Sequence, residues 1–147
     1  AHDGAPVRSA RIVVIADGAT LAEVVTDESG EFEISLPGVD TRGALIRIES
    51  TWHSRLEKPL PPPGQLLISL LTRRRALLAA LVDWAERRGR PFVGDREPTP
   101  REVREIATQS AEPAVATWAR GVEDAAFGPN PVDADREAGV RAQEPKP

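Results

Sequence analysis

The first half of the chain alternates apolar and polar residues with the two-residue period of β-strands. The alternation is clearest over residues 31–36, where Phe32, Ile34 and Leu36 are separated by Glu and Ser, as in a strand with one buried face. Asp17-Gly18 is a dipeptide typical of hairpin turns. Similar runs cover residues 6–16, 21–26, 44–49, 52–57 and 65–71. Six or seven short strands at this spacing predict an antiparallel β-sandwich.

From residue 72 onward the apolar residues recur every three or four positions, which is typical of amphipathic helices. The first predicted helix lies between Thr72 and Gly89, and Leu77, Leu81 and Trp84 share one of its stripes. Because the large Trp84 ring lies on an apolar stripe, we expect it to pack between helices.

Two or three further helices are predicted. Residues 99–102 form a capping box with Pro at the first helical position. A third helix is expected from Pro113 to Phe127, and a weakly amphipathic fourth helix follows before the chain frays over residues 143–147. One face of the third helix carries Val115, Trp118, Val122 and Ala126.

The change of period predicts two domains that follow each other without a linker. Residues 1–71 are assigned to the β-sandwich and residues 72–147 to a helical domain with a frayed C-terminal tail. The first part has six basic and ten acidic side chains, a net charge of −4, whereas the second has thirteen of each. The predicted fold class is therefore α+β, with an antiparallel sandwich followed by three or four helices.

The composition excludes several kinds of chemistry. The 147 residues have a net charge of −4, which argues against a nucleic-acid partner. The chain has no Cys, which excludes disulfides and thiolate chemistry. The longest apolar runs are much shorter than the roughly 20 residues of a spanning helix, so membrane attachment is expected only through segments outside this chain. The lack of Met leads us to expect a processed or partial product.

The acidic residues of the first half could form a calcium-binding loop. Asp27, Glu28, Glu31 and Glu33 supply the oxygen ligands that Ca²⁺ prefers. However, Asp-Glu-Ser-Gly is a good turn sequence by itself, and the two later carboxylates point outward from the predicted strand. We therefore predict no metal and no cofactor.

Residues 52–57 contain three candidate contact residues, Trp52, His53 and Arg55. The alternation places Trp52 on the same face as Leu56, which predicts that its ring is in the core, whereas an exposed ring could stack on sugars. His53 and Arg55 lie on the opposite, polar face, and His2 with Asp3 could add ligands. No positioned nucleophile is recognised beside His53, so catalysis is not predicted.

Arg73, Arg74 and Arg75 form the second group of candidate contact residues. A phosphate group or an anionic lipid could bind such a cluster. Cations at the start of a helix oppose its dipole, and equal numbers of acidic residues are present in this half, so we favour a solvated, partly ion-paired face.

Two stretches carry a resemblance to a known family. They are GAPVRSARIVV at residues 4–14 and TDESGEFEI at residues 26–34. Residues 4–71 resemble the carboxypeptidase regulatory-like (transthyretin-like) domain in these motifs. The resemblance implies a small transthyretin-like or Ig-like β-sandwich that serves as an accessory module of bacterial envelope or secreted proteins and has no catalytic residues of its own.

Residues 72–147 are more loosely similar to an uncharacterised bacterial C-terminal helical domain of membrane and transglutaminase-like proteins. The matching pieces are residues 75–78, 84–85, 99–102 and 126–129, with 131–132. This similarity implies no site residues.

These observations lead us to expect a non-catalytic structural or protein-interaction module in the cell envelope or outside the cytoplasm, although the sequence does not exclude a cytoplasmic location. One alternative is a carbohydrate- or cell-wall-binding module. The other is a homo-oligomeric assembly subunit that uses the helical half, for example the stripe of Val115, Trp118 and Val122.

Overall fold

The computed structural model describes residues 4–147, so the suggestion about His2 and Asp3 lies outside the described residues. The chain divides into two compact units, Ala1–Leu70 and Leu71–Pro147. Within the described residues, every strand belongs to the first unit and every helix to the second.

The first unit is built on four strands: β1 (Arg11–Ala16), β2 (Ala19–Val25), β3 (Leu45–Glu49) and β4 (Leu56–Pro59). They form one antiparallel sheet in the order β2-β1-β3-β4. β1 and β2 are joined through Asp17 and Gly18, whose φ angles of 50° and 76° suit a two-residue turn that matches the strand twist. In the register, Val13 lies opposite Glu23 on one side and Arg47 on the other.

The inner face of this sheet forms the core of the first unit. Ile12 and Val14 of β1 lie opposite Ile48 and Ile46 of β3, and all four are at most 3% exposed. Side chains from outside the sheet cover them, namely Val7, Phe32, Ile34, Leu60, Ile68 and Leu70.

The prediction of a six- or seven-stranded β-sandwich is wrong, because the described residues contain a single sheet of four strands. Residues 31–36 keep the predicted alternation of partly buried and exposed side chains but belong to no strand, and residues 65–70 likewise lie outside the sheet. Alternation follows from burial of one face of a segment, and it does not provide the neighbouring strand that completes a ladder of hydrogen bonds. The broader α+β class does fit the structure.

The second unit contains four helices: α1 (Arg73–Arg88), α2 (Pro100–Gln109), α3 (Pro113–Phe127) and α4 (Ala134–Ala142). The predicted capping box is confirmed, since the Thr99 hydroxyl accepts from the Glu102 amide and the Glu102 carboxylate accepts from the Thr99 amide. Thr72 and Asp133 cap α1 and α4 with side-chain oxygens. Among the residues described, no helix combines the length and the apolar character needed to cross a membrane.

Aromatic rings hold the centre of the helical unit together. Trp84 is fully buried, and its ring lies edge-on to Phe92 and Trp118, with centroids 5.1 and 5.4 Å apart. The expectation that Trp84 packs between helices is confirmed.

Val115, Trp118 and Val122 are at most 4% exposed. This stripe of α3 therefore belongs to the core of its own unit and is not available for self-association.

Two residues after α4, Glu144 and Pro145, contact the helical unit. The indole Nε1 of Trp84 donates a hydrogen bond of 2.8 Å to the main-chain oxygen of Pro145. In addition, Arg87 lies 3.2 Å from the carboxylate of Glu144. A buried indole N–H needs an acceptor, and the C-terminal segment supplies it.

Candidate functional site

Trp52 is exposed, so its predicted place in the core is wrong. It is 56% exposed and lies in the connection between β3 and β4, residues 50–55, which we call the Trp52 loop. The chain bends at Trp52, and β4 begins only at Leu56. Alternation assigns two residues to one face only within a continuous strand, and residues 52–57 are not one.

A hydrogen bond between side chains closes the Trp52 loop. Ser50 Oγ lies 3.1 Å from Nδ1 of His53, and both side chains are half-buried. This contact joins the residues on either side of Trp52 and so holds the short connection that presents the indole to solvent. Ser50 was not among the candidate residues predicted from the sequence, because the contact depends on the bend of the chain between Ser50 and His53.

Arg55 is the end member of a row of alternating charges in the sheet unit. Arg55 NH1 lies 3.8 Å from one oxygen of Glu49, and Arg11 NH1 lies 3.5 Å from the other. Arg11 also donates to Glu23 at 2.6 Å. This hydrogen bond lowers the pKa of the Glu23 carboxyl and raises the pKa of Arg11. Arg55 remains 61% exposed, and its ion pair with Glu49 is long.

The three consecutive arginines at the start of α1 have separate roles. Arg73 is 11% exposed and forms an ion pair of 2.8 Å with Glu137. Arg74 donates to the main-chain oxygens of Ala126, at 3.3 Å, and Asn130, at 2.8 Å. Arg75 is exposed. The candidate patch thus consists of two residues that bind elements of their own unit and one that faces solvent.

Those contacts explain why basic residues are tolerated at the start of a helix. The guanidinium group of Arg74 reaches the C-terminal end of α3, where the carbonyl groups concentrate partial negative charge. The negative charge of Glu137 likewise offsets the unfavourable position of Arg73 near the start of α1.

The acidic turn that resembled a calcium loop is stabilised by hydrogen bonds of its own. Asp27 Oδ1 accepts from the amides of Ser29, at 2.8 Å, and Glu31, at 2.9 Å. This arrangement is a turn in which an Asp side chain replaces a backbone acceptor. Within residues 4–147 no three Asp, Glu, His or Cys side chains are grouped so that they could hold a metal ion.

Two shallow hollows of the helical unit are lined by residues other than the candidate arginines. The more enclosed of two shallow hollows, of about 300 Å³, is lined by Glu86, Gly89, Arg90, Val93, Gly94 and Asp95. Neither hollow contains a residue of the Trp52 loop or of the arginine cluster. The Trp52 loop, which contains Trp52, His53 and Arg55, is therefore the strongest candidate contact site.

Comparison of the chain with protein-family models, with curated proteins and with solved structures gives no match. The resemblance to the carboxypeptidase regulatory-like domain stays a prediction.

Proposed function

We propose that the chain is a non-catalytic binding module of a bacterial envelope or secreted protein, and that it binds a protein partner through the Trp52 loop. The observation that carries this proposal is the 56% exposure of Trp52. Trp84 and Trp118 are buried in the helical unit, so the exposed indole is an exception among the tryptophans. Tryptophan and arginine are the residue types most enriched at the energetic centres of protein interfaces.

The residues around Trp52 indicate the chemistry of the partner. The indole offers an apolar surface with one N–H donor, and the exposed head of Arg55 offers a planar cation two positions beyond His53. A complementary surface would therefore have an apolar pocket for the ring with a carboxylate at its rim. The assignment to the envelope rests on the resemblance of residues 4–71 to accessory modules of such proteins.

Photo-crosslinking from position 52 tests this proposal. A photoreactive phenylalanine derivative, which keeps an aromatic ring at the position, replaces Trp52 in one variant and Phe127, which is 68% exposed, in a control variant. With the envelope fraction of the source cells, we expect one discrete adduct from position 52. An excess of the wild-type chain should prevent this adduct, whereas an excess of the Trp52→Ala chain should not prevent it. Adducts of equal yield and identity from position 127, or no adduct from position 52, would contradict the proposal.

The exposed Trp52 also favours a second candidate, a carbohydrate- or cell-wall-binding module. An aromatic face can stack on the apolar face of a sugar ring, and neighbouring polar groups such as Arg55 and His53 can bind hydroxyl or carboxylate groups. Titration with purified cell-wall glycan fragments, followed by tryptophan fluorescence, tests this function. We expect a change in emission that Trp52→Ala removes, and an unchanged spectrum at saturating glycan would contradict it.

The non-catalytic part of the proposal has its own test. Ser50 and His53 are the hydroxyl and imidazole groups that lie together in the Trp52 loop. We expect that a panel of ester, amide and glycosidic substrates is not hydrolysed by the purified chain. Hydrolysis that is lost in both Ser50→Ala and His53→Ala would overturn this part.

A further inference from the structure

Residues 65–70 have the exposure pattern of a strand without being part of a sheet. Leu66 is exposed, but at 37% much less so than Leu67 at 92%, while Ile68 is partly buried and Leu70 is 9% exposed; the alternating Gln65, Leu67 and Ser69 are all exposed. A period of two is that of an extended chain with one face against the core. Ile68 and Leu70 indeed pack in the core of the first unit.

The main chain of this segment belongs to no ladder of hydrogen bonds. Among the described residues, no backbone hydrogen bond involves the amides or carbonyls of residues 65–70. Proteins usually prevent pairing at an exposed edge with charged residues or Pro. Residues 65–70 contain neither, and they contain no Gly. Leu67, at 92% exposure, is the most exposed of the large apolar side chains.

We propose that residues 65–70 pair antiparallel with the same segment of a second copy of this chain, centred on Leu67. This register places Gln65 opposite Ser69 on the outer face and Leu66 opposite Ile68 on the inner face, and the two Leu67 side chains face each other. Polar residues therefore meet polar residues and apolar residues meet apolar residues, as a two-fold axis requires of a self-complementary surface.

Charge supports a second copy as the occupant of this segment. Since residues 65–70 carry no charge, two copies approach without repulsion along the paired strands. Residues 31–36 also alternate in burial, but their exposed face carries Glu31 and Glu33, whose like charges would be brought together in a pair of copies. The two segments are thus distinguished by charge, and only residues 65–70 suit self-pairing.

This inference is independent of the Trp52 loop, because the proposed pairing uses none of its residues. The interface of one short strand pair is smaller than that of a stable dimer. We therefore expect a weak, concentration-dependent dimer. Trp52→Ala should dimerise like the wild type, so a failure of one proposal can be told apart from a failure of the other.

Sedimentation equilibrium from micromolar to near-millimolar concentration tests the pairing. We expect Leu67→Lys and Leu67→Asp each to weaken self-association by roughly fivefold, because like charges directly opposite each other repel. An equimolar mixture of the two variants should associate at least as well as the wild type, since only a register centred on residue 67 brings the lysine and aspartate together. Phe127→Lys, at an exposed aromatic position in the other unit, is the matched control and should leave association unchanged.

Hydrogen exchange supplies a second readout that does not depend on a substitution. At high concentration the amides of residues 65–70 should exchange more slowly than at low concentration, while those of residues 31–36 stay unchanged. A wild-type chain that is monomeric at the highest concentration would overturn the proposal, as would a mixture of the two Leu67 variants that fails to associate. Protection confined to β2, with loss of association in Val25→Lys, would also overturn it.

Discussion

Arg73 and Glu137 form a nearly buried ion pair that joins the start of α1 to α4. Arg73 NH1 lies 2.8 Å from Glu137 Oε2, and the two side chains are 11% and 5% exposed. The other oxygen of Glu137 accepts from Arg141 Nε at 3.0 Å. Because water has little access to this carboxylate, the two arginines contribute to the compensation of its charge.

Glu137→Gln should destabilise the helical unit substantially. The substitution removes the negative charge between two arginines, and breaking a buried ion pair from one side costs roughly 3 kcal/mol. Urea unfolding followed by circular dichroism at 222 nm measures the free energy of unfolding. The matched control is Glu105→Gln, which breaks the exposed pair with Arg101 and should cost less than about 0.5 kcal/mol. Equal losses in the two variants would show that burial does not strengthen the Glu137 pair.

Truncation near the C-terminus should reveal the contact between Trp84 and Pro145. A chain that ends at Glu144 lacks the oxygen that accepts from the buried indole, and an unsatisfied buried donor costs about 1–3 kcal/mol. A chain that ends at Pro145 keeps an acceptor at this position and serves as the control. We expect only the shorter chain to show a lower free energy of unfolding in urea. If both chains unfold like the wild type, the tail contributes nothing.

The helices of the second unit could be predicted closely because local chemistry marks their ends. Thr72 caps α1, the box at residues 99–102 starts α2 and Pro113 starts α3. Each of these effects acts within one turn of the helix that it ends or begins. The β1–β2 hairpin was predictable for the same reason, since Asp17-Gly18 specifies its turn within two residues.

The sheet and the candidate site depend on relationships that are not local in sequence. Residues 31–36 and 65–71 have strand-like patterns, but whether a ladder forms depends on which segment lies alongside. The exposure of Trp52 depends on a bend between two strands. The roles of Arg73 and Arg74 depend on partners more than fifty residues away, which no spacing rule could identify.

The three consecutive arginines should differ in their effect on stability. Arg74→Ala removes two hydrogen bonds to main-chain oxygens, one to Ala126 in the last turn of α3 and one to Asn130 beyond it. We expect the free energy of unfolding to fall by about 1–3 kcal/mol, which is typical of bonds from a charged donor. Arg75→Ala changes an exposed side chain one residue later and should stay within about 0.5 kcal/mol of the wild type. Thermal and urea unfolding of the two variants, measured side by side, test this difference. Equal stability in both variants would restore the interpretation of the cluster as a surface patch.

Acrylamide quenching of tryptophan fluorescence tests the exposure of Trp52. Trp84 and Trp118 are at most 1% exposed, whereas Trp52 is 56% exposed, so acrylamide should reach Trp52 much more readily. In Trp52→Phe, the remaining emission should shift to shorter wavelength and resist quenching. The guanidinium-unfolded variant is the control, because both remaining tryptophans then become accessible. Quenching of the folded variant that equals that of the folded wild type would place Trp52 inside the protein.

The capping box of α2 should make stability depend on pH through Glu102. The hydrogen bonds from the Thr99 amide and then the Thr99 hydroxyl lower the pKa of Glu102 from its ordinary value of 4.5. A carboxyl whose pKa is lower in the folded state stabilises the fold above its unfolded pKa, and this contribution is lost as the pH falls through the folded pKa. Glu102→Gln keeps an acceptor oxygen but does not titrate. The difference in free energy of unfolding between wild type and variant should therefore shrink as the pH falls below 4.5. Thr99→Ala removes one of the two donors and should partly reduce the same pH-dependent difference. A constant difference across this pH range would show that the capping box does not lower the pKa of Glu102.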